Sequence, residues 1–143
     1  MTMMATHALT SFLASAGFGI LFYAPRSSII HCGFVGMAGW LTYMVCSFRF
    51  DAIVSTLIAS FVVTAISHAF SKIYRTPIIV YSISGVIPLV PGGLAYEAMR
   101  FFVLKEYPEA LGTAAQAFLI SGAIAVGLVC SEVIHQLFQR KAR

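Results

Sequence analysis

Glu97 and Arg100 stand three residues apart in an otherwise apolar stretch. On a helix they share one face and can pair. A carboxylate inside a membrane segment is a functional feature by default, for example as a proton carrier. The same two residues also suit an interfacial ion pair at a helix end. A second group is Thr56, Ser60, Thr64 and His68, which recur every four residues. On a helix they make one polar stripe. That stripe faces either a packed neighbour, with its hydroxyls bonded back to their own backbone, or a wet pathway. Ser11, Ser15 and Gly19 repeat the pattern more weakly. His68 lies deepest on its stripe and is the better titrating group. His31 and His135 fall near helix ends and read as interfacial.

Enzyme chemistry is not indicated. No His-Glu-x-x-His pattern is present, so a membrane zinc protease is not expected. Ser82-Ile-Ser84-Gly85 has the outline of a serine-protease turn, but it lacks the first glycine and a placed histidine. Ser84 fits better as a small polar residue lining the approach to a helix break. Cys32, Cys46 and Cys130 each sit in an apolar run without redox or metal spacing, so they read as small core residues. No cofactor and no metal are expected.

The elements that must hold these residues are membrane helices. Of 143 residues, 59% are hydrophobic and only 10% are charged. The mean hydropathy is +0.90. A soluble domain carries about 25% charged residues, so this chain is read as an integral membrane protein. The net charge of +4 comes from residues that cap apolar runs. They form no groove or stripe for nucleic acid, and lipid headgroups account for them.

Five uncharged runs are each long enough for the roughly 20 residues that cross a bilayer. They predict a single all-α membrane bundle over residues 1–143. Its helices are expected at about 5–24, 28–48, 52–71, 77–104 and 110–138. The fourth is expected to break near 88–93. The first is read as a membrane helix and not a cleaved signal, because no Lys or Arg precedes it. If all five cross, Arg26, Lys72, Arg75, Arg140, Lys141 and Arg143 share one side, and Arg49, Arg100 and Lys105 the other. The positive-inside rule then puts the C-terminus in the cytoplasm and the N-terminus outside. A fourth segment that turned back would leave the charges nearly balanced, so the rule favours a crossing. Gly33, Gly36 and Gly39, and Ala123, Gly127 and Ser131, have the small-residue spacing of close helix packing.

The fourth run is the unusual one. Pro88, Pro91, Gly92 and Gly93 interrupt it. Proline removes a backbone donor and clashes with the preceding turn. Opened backbone survives in a membrane only where protein or a wet cavity covers it. Interrupted hydrophobic segments of this kind point to transporter substrate sites.

The run Pro88-Leu-Val-Pro91-Gly92-Gly93-Leu-Ala-Tyr96 resembles the threonine/serine exporter family, specifically its small-subunit half. Pro88, Pro91, Gly92 and Tyr96 match the family's P-x-x-P-G-x-x-x-Y element. Gly17-Phe18 to Pro25 is similar to its opening run, and Gly33 to Gly39 to its glycine-rich second helix. Gly93 stands at a position the family varies, often to serine, and Glu97 is outside the motif. The resemblance implies a secondary exporter of small amino acids (threonine, serine) or dicarboxylates such as succinate, in the bacterial inner membrane. It also implies a larger membrane subunit as partner. On this reading Pro88, Pro91, Gly92, Gly93, Tyr96 and Ser84 contact substrate. Freed carbonyls would take an ammonium group, and amides of the restarting helix a carboxylate. Glu97, His68, Thr64 and Ser60 are the candidates for proton coupling or a polar path. The chain has no nucleotide-binding loop, so a proton gradient is the expected driving force. The competing class is a non-transporting assembly or scaffold subunit, in which the break is a kink shaped to fit a partner.

Overall fold

The computed structural model describes residues 2–141, with side chains over 4–138. The charges of Arg140, Lys141 and Arg143 lie outside those side chains. The described chain is all helical: α1 (Thr2–Leu21), α2 (Arg26–Ser47), α3 (Ala52–Tyr74), α4 (Ile78–Val86), α5 (Gly92–Val103) and α6 (Tyr107–Lys141). A short 3₁₀ turn, Ile87–Leu89, follows α4. Four helices are long and apolar enough to cross a membrane, and the bent α4–α5 pair has the form of a fifth, broken span or of a re-entrant loop.

Charges and turns set the ends. α1 stops at Leu21, earlier than the apolar run, because Tyr23 turns left-handed at φ 55° and Pro25 opens α2. α3 runs on to Tyr74, where Arg75 closes it at φ 52°. Ser71 donates to the Thr76 carbonyl at 2.6 Å and ties that turn down. After α5, Lys105 is left-handed at φ 64°. Glu106 N–H donates to Phe101 O at 2.9 Å and Lys105 N–H to Phe102 O at 3.1 Å, the paired bonds of a Schellman ending.

The bundle is polar within and apolar without, as lipid solvent favours. Ser15, Ser28, Ser55, Ser60, Ser67 and Ser84 are almost fully buried, while Leu9, Leu13, Ile20, Phe34, Val129 and Leu137 face outward. Small residues allow the backbones to approach. A side chain at Gly127 of α6 would stand 2.7 Å from the Leu57 carbonyl of α3 and would strike Ser60. The spacing on the second and fifth runs therefore serves packing within the chain. The apolar core lies where α4 enters the groove between α2 and α3: Cys32, Val35, Ala59, Val63, Tyr81, Val86 and Leu89. Ser28 and Tyr81 share a hydrogen bond of 3.0 Å inside it.

These contacts fix the direction of the broken segment. Tyr81 meets Ser28, Gly85 meets Val35, and Leu89 lies near Gly39, so α4 and its 3₁₀ turn run the same way as α2. Ser60 meets Gly127 and His68 meets Glu132, so α3 and α6 also run the same way. The chain must return between them. α4 and α5 are bent by 51°, a deflection and not a reversal. The fourth segment is a broken crossing. α5 then packs along α6 and against no other helix to a comparable extent.

Candidate functional site

The break is built from backbone. Ile87–Leu89 tightens to a 3₁₀ turn, Val90 is extended, and Pro91 sits at φ −77°, ψ 52°. Gly92 N–H donates to Val90 O at 2.8 Å, which makes Pro91 the centre of an inverse γ-turn. Pro88 has no N–H for the Ser84 carbonyl that a continuous helix would satisfy. α5 restarts at Gly92 with no side-chain cap, so its first amides have no intrahelical partners. The two glycines are thus the first helical residues, not part of the opening. Both have negative φ, and open space surrounds the place where a side chain would stand on either. Nothing in this chain requires glycine there.

Beside the break lies a cavity of about 240 Å³, walled by Trp40 and Tyr43 of α2, Thr56 of α3, the 88–91 turn with Gly93 and Leu94, and Ile120 of α6. Trp40 and Tyr43 are stacked at 5.3 Å. Aromatic faces of this kind attract an ammonium group. Pro88, Pro91 and Gly93 are on the wall. Gly92 faces the groove between α5 and α6, about 390 Å³, with Ala95, Ala98 and Ala117. Ser84 is buried a turn before the break, where it and Cys32 both face Gly19. It does not line the cavity.

Tyr96 and Glu97 do not enter this site, contrary to expectation. Tyr96 is two residues from both Leu94 and Ala98, the inward face of α5, and so lies on the opposite side of the helix. It is 70% exposed. Glu97 is exposed too, and makes no ion pair with Arg100 among the described residues. The Arg100 guanidinium instead lies over the Phe101 ring at 5.3 Å.

The stripe on α3 faces α6, and its hydroxyls return to their own backbone. Thr56 donates to Ala52 O at 2.7 Å, Ser60 to Leu57 O at 2.9 Å, and Thr64 to Ser60 O at 3.0 Å. At its far end the seam carries charge. His68 Nε2 stands 2.7 Å from Glu132 Oε2 of α6, an approach out of line with a ring N–H. The His68 ring stacks on His135 at 3.8 Å, tilted by 22°. Glu132 Oε1 accepts from Gln136 Nε2 at 3.0 Å. A cavity of about 330 Å³ opens on these four residues together with Ser71, Lys72 and Ile78. Neither Glu132 nor His135 is a site candidate in the sequence, because both stand near the end of the last helix, where His135 reads as interfacial. Their three-residue spacing at the end of that helix was the available signal. No His, Cys, Asp or Glu group among the described residues could hold a metal ion.

A bundle of four or five candidate membrane spans, with one segment opened by two prolines beside a cavity, has the build of a multi-pass membrane transporter. The family comparison agrees: the family model described as Threonine/Serine exporter, ThrE, matches residues 7–134, and the chain belongs to that family. The family is one of transporters, not an enzyme class. No solved structure matches the chain.

Proposed function

We propose that this chain is the small membrane subunit of a two-component secondary exporter in the bacterial inner membrane. Its cargo is threonine and serine, or dicarboxylates such as succinate. The N-terminus is outside and the C-terminus cytoplasmic. The observation that carries this reading is the pair of glycines at the restart of α5. They open the restarted helix, space is free around both, and no contact in the chain accounts for them. Something outside the chain comes close there, either cargo or a helix of the larger subunit. The open amides of α5 suit a carboxylate, and the Trp40 and Tyr43 faces suit an ammonium group. Pro88, Pro91 and Gly93 would then touch cargo directly. Gly92 and Tyr96 would reach it only from the side the partner covers. Ser84 supports the wall from below.

One observation favours the scaffold reading as well. α5 leans on α6 alone and exposes Tyr96, Met99, Phe102 and Val103, as a partner-docking arm would. Transport separates the two. Cells co-expressing this chain with the larger subunit are loaded with threonine, serine or succinate, and efflux is followed. The exporter reading expects Gly93→Leu to stop efflux while the two subunits still co-purify. Under the scaffold reading, efflux and co-purification fall together.

A further inference from the structure

The histidine–glutamate cluster between α3 and α6 has no role in the break, which lies about 18 Å away along α3, at Thr56. His68 is only 12% exposed within a spanning helix. Glu132 stands near the end of the long apolar stretch of α6, with its side chain 42% exposed. A carboxylate beside an apolar helix seam is costly unless paired, and here the His68 imidazole and the Gln136 amide approach it, with the His135 ring stacked on that of His68. Rings stacked at 3.8 Å cannot both carry charge without repulsion. The trio therefore has the composition to hold one proton on two rings beside one carboxylate.

The surroundings fit an exchangeable proton. From α3 the cluster is faced by Ser71 and Lys72, from α6 by Gln136, and from α4 by uncharged Ile78. His31 of α2 is on another side of α3, against Phe70 and Tyr74. Glu132 belongs to two neighbouring cavities. One is polar, with His68, Lys72 and His135. The other is apolar, about 330 Å³, and runs past Thr64, Ser82 and Leu128. The carboxylate thus stands between a polar recess and an open apolar groove of α4 and α6. Imidazole is the side chain whose charge changes near neutral pH.

We propose that His68, Glu132 and His135 form a proton-binding site that couples proton movement to transport. The coupling role rests on the exporter reading. The proton adds to an imidazole nitrogen lone pair and later leaves the same nitrogen, with no other bond changed.

Nitrogen-15 histidine NMR on the full chain in lipid nanodiscs tests the site without transport, with His68→Asn supplying the assignment. The expected result is one proton taken up by the His68–His135 pair, in a step that Glu132→Gln removes or displaces. Rings that stay in one protonation state, or a step indifferent to Glu132→Gln, would overturn the proposal. In vesicles holding the complete exporter, Glu132→Gln should cut pH-gradient-driven threonine transport by about tenfold or more. Threonine exchange at equal pH should stay within about twofold. Equal loss of both, or loss of neither, contradicts coupling. If wild-type vesicles move neither threonine, serine nor succinate, the exporter reading fails, and the NMR result alone decides the proton site.

Discussion

The break beside Thr56 and the cluster around His68 are two polar interruptions on one apolar helix seam, and they are solved in opposite ways. At the break the polar groups are backbone: a carbonyl without its proline donor and amides without caps. The walls are apolar and aromatic, the glycines face open space, and α5 rests on a single neighbour. At the cluster the polar groups are side chains, and they meet one another inside the chain. The first site is unfinished without something from outside. The second is complete and needs only a proton. The difference suggests a division of labour in which cargo meets the broken crossing and ion coupling sits on the α3–α6 seam.

The largest expected effect tests the seam. Gly127→Leu would drive a side chain into the Leu57 carbonyl and Ser60. Overpacking of this kind costs about 3 kcal/mol, and here it should pry α6 from α3. Membrane abundance and detergent melting should both fall sharply. Pro91→Ala should do the reverse to the break. It restores a backbone donor and lets the helix straighten, so export should fall about tenfold while the melting temperature holds or rises. A matched loss of stability would mean that the break is a structural kink. Thr64→Val removes a hydroxyl that only bonds back to Ser60 O. Export should change by less than about twofold, and stability by at most about 1 kcal/mol. A large export defect would restore the wet-pathway reading of the stripe. Tyr96→Phe should have the smallest effect, with this chain's abundance unchanged, because its ring faces away from the cavity. Any loss of export there would place the partner's side of the path against α5.

Much of this was legible before the coordinates, for local reasons. Charged residues delimit the runs, and proline chemistry is confined to its own turn, so the helices and the break could be read from composition and order. Boundaries moved where side-chain identity does not declare a left-handed turn, as at Tyr23 and Arg75. Gly92 and Gly93 were read as opened chain, but glycine in a first helical turn is permitted as readily as glycine in a loop. That Tyr96 points away from the cavity is not legible in the sequence, because the inward face of α5 is set by α6, which lies later in the chain. The Glu132–His68 pair was invisible for the same reason. Only the parallel pairing of α3 with α6, two elements apart, brings those residues together.

The central claim is that the restart of α5 is a surface for cargo, and efflux with a single substitution tests it most directly. Gly93→Leu fills space that is empty in this chain, on the wall of the cavity, so the bundle should fold and reach the membrane in normal amount. Threonine efflux from loaded cells, with the larger subunit co-expressed, should then fall by about tenfold or more. Wild-type efflux at wild-type abundance would contradict the account.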